Sequence, residues 1–94
     1  LPYDACVEIP VFADKDGIHK TIVGELPAHL AILVSTTAQI ENLVVRAAMT
    51  KSRADVYHAV MMDPLCSAVC SLQEIRDMCD LIFEKNTDYL GDYK

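Results

Sequence analysis

Four cysteines and three histidines are the side chains in this 94-residue chain with the richest possible chemistry: Cys6, Cys66, Cys70, Cys79, His19, His29 and His58. A structural metal needs about four ligands at short, regular spacing. Only Cys66 and Cys70 approach that pattern, four apart and so on one face of a helix. No histidine lies at ligand spacing from them, and the expectation is reduced, largely buried thiols with neither metal nor disulfide. His58 stands beside Tyr57, but no nucleophile is placed for it to activate. Asp77, Asp80 and Glu84 recur at helical neighbour spacing and read as a solvated face, not as a catalytic carboxylate pair. Asp14 and Asp16 offer too few oxygens for a Ca²⁺ loop and read as turn residues. Ser35, Ser67 and Ser71 lack a nucleophile-elbow context. Gly17, Gly24 and Gly91 form no phosphate-cradling loop. The residues therefore predict no catalytic, cofactor-binding or metal-binding site within this chain.

The elements that would position these side chains are an N-terminal hairpin, a set of helices and a polar tail: an α+β domain with boundaries at 1–24, 27–86 and 87–94. Val7, Ile9 and Val11 alternate with Cys6, Glu8 and Pro10, which predicts a strand. Asp14-Lys15-Asp16-Gly17 supplies the turn, and Ile18 to Val23 returns as the second strand. Pro10 cannot donate to a ladder, so its strand is an edge or ends there. A lone hairpin is marginal in water, so this one is expected to complete a larger sheet or to lie on the helices.

From Ala28 to about Met49 there is neither Gly nor Pro. Leu30, Leu33 or Val34, Ile40, Leu43 or Val44 and Ala47 recur at helical spacing, with Ser35-Thr36-Thr37 as the place where the helix could bend. Ser52 with Asp55 predicts the next helix start, with Val56, Val60 and Tyr57 facing inward as far as Met62. Asp63-Pro64 opens a short helix to about Val69, because Asp caps well and Pro at the first helical position loses no hydrogen bond. Ser71-Leu72-Gln73-Glu74 is a full capping box, with Leu72, Ile75, Cys79, Ile82 and Phe83 forming the apolar face behind it. The helix is expected to stop near Asn86. The four methionines read as core filler or interface.

Composition narrows the partners. Apolar residues are 52% of the chain and aromatics 6%, so the core must be aliphatic, and the apolar excess predicts surface that something else covers. A formal charge of −6 with eight scattered Lys and Arg argues against nucleic acid. No unbroken apolar run approaches the ~20 residues of a bilayer span, the longest being Leu30 to Val34, so no membrane is expected. The chain opens at Leu1 without a methionine and runs directly toward a strand, which reads as a segment of a longer polypeptide.

Several segments together resemble the last portion of family 4 glycoside hydrolases. Leu1-Pro2-Tyr3-Asp4-Ala5-Cys6-Val7-Glu8-Ile9-Pro10 is similar to that family's Leu-Pro-x-x-x-x-Val-Glu-Val-Pro segment. Val23-Gly24-Glu25-Leu26-Pro27 follows the turn, and Glu41-Asn42-Leu43-Val44-Val45-Arg46-Ala47-Ala48 resembles the Glu-Leu-x-Val-x-Ala-Ala stretch of the helix after it. Ala59-Val60-Met61-Met62-Asp63-Pro64-Leu65 resembles the Ala-x-x-x-Asp-Pro-Leu segment. Ser67 to Ile75 looks like the version in α-galactosidases and α-glucosidases of unphosphorylated sugars, whereas the 6-phospho branch more often carries Asn in place of Asp63. The resemblance runs in order from Leu1 to about Phe83.

It implies a cytoplasmic, oligomeric enzyme with a lactate/malate dehydrogenase-like fold that needs NAD and a divalent metal, usually Mn²⁺. Hydride removal at C3 of the sugar acidifies C2, elimination expels the glycosidic oxygen, water adds and the ketone is reduced again. The implied dinucleotide domain, metal-binding Cys and His, and catalytic Tyr or Asp all precede this segment, so a Rossmann domain is absent here. The partners implied are the N-terminal catalytic portion, further copies of the subunit and a glycoside. The alternative is a free-standing helical interaction module sharing local patterns.

Overall fold

A computed structural model describes all 94 residues, Leu1–Lys94. Two short strands precede five helices: β1 Val11–Asp14, β2 Gly17–Lys20, α1 Ala28–Thr50, α2 Arg53–Met62, α3 Pro64–Val69, α4 Leu72–Lys85 and α5 Thr87–Leu90. The strands pair antiparallel with Val11 opposite Lys20 and Asp14 opposite Gly17, which leaves Lys15-Asp16 as the loop. Asp14 builds that turn by accepting the Asp16 N–H at 2.8 Å, and Gly17 supplies the positive φ of 120° that other residues rarely adopt.

The hairpin is shorter than the alternation from Cys6 to Val23 predicts. Pro10 ends the ladder: it contributes only its carbonyl, which accepts the Thr21 N–H at 3.3 Å and the Thr21 hydroxyl at 2.6 Å. Residues 6–9 have no strand partner. Nor does the hairpin reach another sheet or the helices within this chain, since its sheet has two strands and every residue of both is exposed.

α1 is one continuous helix. Ser35-Thr36-Thr37 does not break it, because Thr36 Oγ1 donates to the Ile32 carbonyl at 3.0 Å and Gln39 donates to Ser35 Oγ at 3.2 Å, so these polar groups bond along the helix. It ends at Lys51, a non-glycine in the left-handed region with φ 56° and ψ 40°. At 23 residues, with an 18-residue stretch of mean hydropathy 1.2, α1 is long and apolar enough to cross a bilayer by length and composition. The sequence expectation missed this because it counted unbroken apolar runs, while an average tolerates the interspersed Ser, Thr and Gln.

Capping places the remaining helices as expected. Ser52 accepts the Asp55 N–H, Asp63 accepts the Cys66 N–H at 2.9 Å, and the reciprocal Ser71–Glu74 box is complete at 3.1 Å in both directions. The core lies where α4 meets α2: Ile75, Cys79 and Phe83, each four apart, are buried against Val56, Tyr57, Val60 and Met61. Leu72 and Ile82, expected on the same face, are exposed.

The region 87–94 is not a free polar tail. α5 and the residues after it fold back so that Tyr93 lies on Phe83 with ring centroids 5.7 Å apart. The Lys94 N–H donates to the Lys51 carbonyl and the Lys94 carbonyl accepts the Arg53 N–H, both at 2.8 Å.

Only six residues are buried: Ala38, Ala47, Ala59, Ile75, Cys79 and Phe83. The radius of gyration is 17.3 Å, whereas a compact domain of this length has about 12 Å. The accessible surface of 7533 Å² exceeds by roughly 2,100 Å² what a folded monomer of this mass exposes.

Candidate functional site

The candidate ligands and nucleophiles do not converge. No group of three or more His, Cys, Asp or Glu side chains could hold a metal ion. His29 and His58 are exposed on separate helices, and His19 Nε2 lies 2.9 Å from Asp14 Oδ1 across the hairpin, where it holds the Asp14 carboxyl below its ordinary pKa. All four cysteines are free thiols. Three pack at or against the core, but Cys6 is exposed, against the expectation of burial, because the segment carrying it pairs with nothing. Hydrogen bonding to Asp63 raises the Cys66 thiol pKa and burial raises that of Cys79, so neither is an activated thiolate.

Among the acidic residues of α4, Asp77 accepts from Gln73 at 2.8 Å along the helix. Asp80 accepts the Tyr57 hydroxyl of α2, which raises the tyrosine pKa and ties the two helices together. With Arg76 5.1 Å from its ring centroid, Tyr57 is a packing and bridging residue. His58, its neighbour in sequence, takes no part.

A groove of mixed polar and apolar lining is present that the sequence does not reveal, with a volume of about 620 Å³. Thr36, Gln39, Asn42 and Arg46 of α1 recur at spacings of three and four and so share one side of the helix. Asp4 from the N-terminal arm faces them, and Ile40, Leu43 and Met62 supply apolar lining. Arg46 is held by Asp55 of α2 through two N–H groups, Nε at 2.9 Å and Nη2 at 2.7 Å, and the pair depresses the Asp55 pKa. Thr36 and Gln39 each spend one donor within the helix, while Asn42 and Asp4 have no side-chain partner in this chain. The spacing of the α1 residues was readable. Their meeting with Asp4 and Met62 depends on contacts across the chain that no local pattern encodes.

The opposite side of α1 is apolar and bare. Leu30, Leu33, Val34 and Val44 are exposed there, although their spacing predicts a core face, and Val45 is exposed beside them. Phe12 and Ile18 of the hairpin are more than 70% exposed as well. An apolar helix face and an uncovered hairpin are what remain when the mass that covers them is not present.

Comparison with known proteins agrees with this picture. Residues 1–66 match the family 4 glycosyl hydrolase C-terminal domain. The chain is 39% identical over 94 residues to an alpha-galactosidase of Bacillus subtilis (strain 168), covering 100% of this chain and 22% of that protein. It is 31% identical over 93 residues to an alpha-galactosidase of Rhizobium meliloti (strain 1021), covering 99% of this chain and 19% of the relative. An alpha-galacturonidase of Thermoanaerobacter italicus is 25% identical over 90 residues, which is 96% of this chain and 20% of that enzyme. No solved structure matches. The chain thus spans about a fifth of the length of these relatives. With a family match over most of its residues and a small α+β architecture of hairpin and helices, the chain belongs to the family 4 glycosyl hydrolases, as part of their C-terminal domain.

Proposed function

We propose that this chain is the C-terminal structural and assembly portion of a cytoplasmic glycosidase that hydrolyses α-galactosides with NAD and a divalent metal, Mn²⁺ by preference. The observation that carries the reading is the alignment of the whole chain with an alpha-galactosidase at 39% identity. α-Glucosides are the second substrate class, since the segment after Asp63 resembles both branches.

The residues present do not fit either cofactor. There is no cluster of metal-ligating side chains and no glycine-rich turn at a helix start. On this reading both groups belong to other parts of the enzyme, and the work of this chain is to cover and to wall. The bare side of α1 is the surface those parts cover, or that a second subunit covers in an oligomer. Protein fits this face better than lipid does, because Glu41 lies in its middle, between Thr37 and Val45 at spacings of four. The free thiols accord with a reducing compartment.

The test is hydrolysis of p-nitrophenyl α-galactoside by the full-length protein. Activity that requires both NAD⁺ and Mn²⁺ and is lost with a chelator is the expected result. Activity without either, or none on α-galactosides and α-glucosides, overturns the reading. A free-standing interaction module would be monodisperse as the 94-residue chain alone. The excess exposed surface favours instead concentration-dependent association, which sedimentation would show.

A further inference from the structure

The two sides of α1 are assigned in an unusual way. In a self-contained domain the apolar side of a long helix meets the core and the polar side meets water. Here the apolar side is bare, while Thr36, Gln39, Asn42 and Arg46 on the other side line a groove together with Asp4, Leu43 and Met62. The groove is a concave surface of mixed polar and apolar lining that α1 offers to a soluble molecule.

Its volume of about 620 Å³ lies within the ~300–1,000 Å³ range of small-molecule sites. The free valences are mixed. Asn42 keeps a full carboxamide, Gln39 keeps its carbonyl and one N–H, Thr36 keeps its acceptor lone pairs, and Asp4 accepts only. Arg46 is largely committed to Asp55, so its charge is already balanced. An anion would meet Asp4 and a neutralised guanidinium, and a cation would find one carboxylate. A neutral polyol, which both donates and accepts at every hydroxyl, matches this set. The apolar residues would accommodate the C–H face of a pyranose ring.

From this we infer that the groove between α1 and the N-terminal arm is a binding subsite for a neutral sugar unit, with Gln39 and Asn42 as its principal hydrogen-bonding residues. The inference rests on the glycosidase reading for its ligand class, and on the groove for its place. It assigns to this chain a role in holding the glycoside, with the bond-breaking groups elsewhere.

The experiment is calorimetric titration of the full-length protein with melibiose, in the presence of a chelator so that no hydrolysis runs, in unaltered form and as Gln39→Ala and Asn42→Ala. Gln39 is exposed, so its replacement leaves the fold intact and guards against misfolding of the other variant. Loss of one or two hydrogen bonds to the sugar predicts roughly tenfold weaker binding for each variant. Unchanged affinity in both, or no binding of melibiose by the unaltered protein, overturns the inference. Because binding is read without turnover, the two ideas fail separately. A protein that binds melibiose through Gln39 and Asn42 but does not hydrolyse α-galactosides keeps the subsite and loses the glycosidase reading. One that hydrolyses them with affinity indifferent to both substitutions does the reverse.

Discussion

The halves of this chain solve the burial problem in opposite ways. From Arg53 onward, α2, α4 and the C-terminal residues make their own core: Ile75, Cys79 and Phe83 are sealed by Tyr57 above, Tyr93 behind and the Arg53 guanidinium 4.6 Å from the Phe83 ring centroid. From Leu1 to Thr50 the residues are at least as apolar, yet only two alanines, Ala38 and Ala47, are buried. The difference lies in partners within reach. Short, well-capped helices joined by tight turns meet one another, whereas a 23-residue helix and a detached hairpin present faces larger than the rest of this chain can cover. Apolar patterning tells which residues want burial and does not tell whether the same 94 residues supply the cover.

The comparison can be broken or sharpened by substitution. The largest effect is expected for Phe83→Ala, which empties the centre of the self-sufficient half and should cost about 3–5 kcal/mol, read as loss of the cooperative unfolding transition of this chain. Ser71→Ala removes the hydroxyl that accepts the Glu74 N–H and should cost about 1 kcal/mol, with a lower midpoint in urea and an unchanged slope. Acid acts on the same half, and in the hairpin on Asp14 alone. Asp55, Asp63 and Glu74 all have pKa values below their ordinary ones, through Arg46 for Asp55 and through backbone N–H groups for the caps. Depressed folded values mean that their stabilisation is complete above the unfolded value, 3.8 for Asp and 4.5 for Glu, and is lost as pH falls through the folded values. A thermal midpoint flat above about pH 5 and falling below pH 4 is therefore expected. The smallest effect is expected on the hairpin. Phe12→Ser should shift the midpoint of this chain by less than about 0.5 kcal/mol, because the side chain touches no core. A large loss would show that the hairpin does pack within the chain.

Legibility in the sequence follows the same divide. Ser52, Asp63 and Ser71 were readable as helix starts because capping is a contract between residues three apart. The turn at Asp14 to Gly17 was readable for the same reason. The hairpin was drawn too long because alternation registers burial preference, while Pro10 sets the backbone limit. The docked C-terminus was missed because Leu90 and Tyr93 sit in a polar stretch, and their partners Phe83 and Lys51 are set by the fold. For the groove, the polar side of α1 is visible in the spacing of Thr36, Gln39, Asn42 and Arg46. Its other wall, Asp4, lies far away in sequence and could not be foreseen.

The knot of contacts around Lys51 has a consequence for the order of events. This left-handed residue turns the chain between α1 and α2, its carbonyl holds the Lys94 N–H, its ammonium reaches Asp92 at 3.3 Å and it lies over the Tyr93 ring. Arg53 reaches the Tyr93 carbonyl across 40 residues of sequence. Closing so long a loop costs entropy that local helix formation does not, so these contacts should form after α2 and α4 have paired and should be first to open. Amide hydrogen exchange would register that order, with Lys94 and Arg53 exchanging ahead of Ile75 and Cys79.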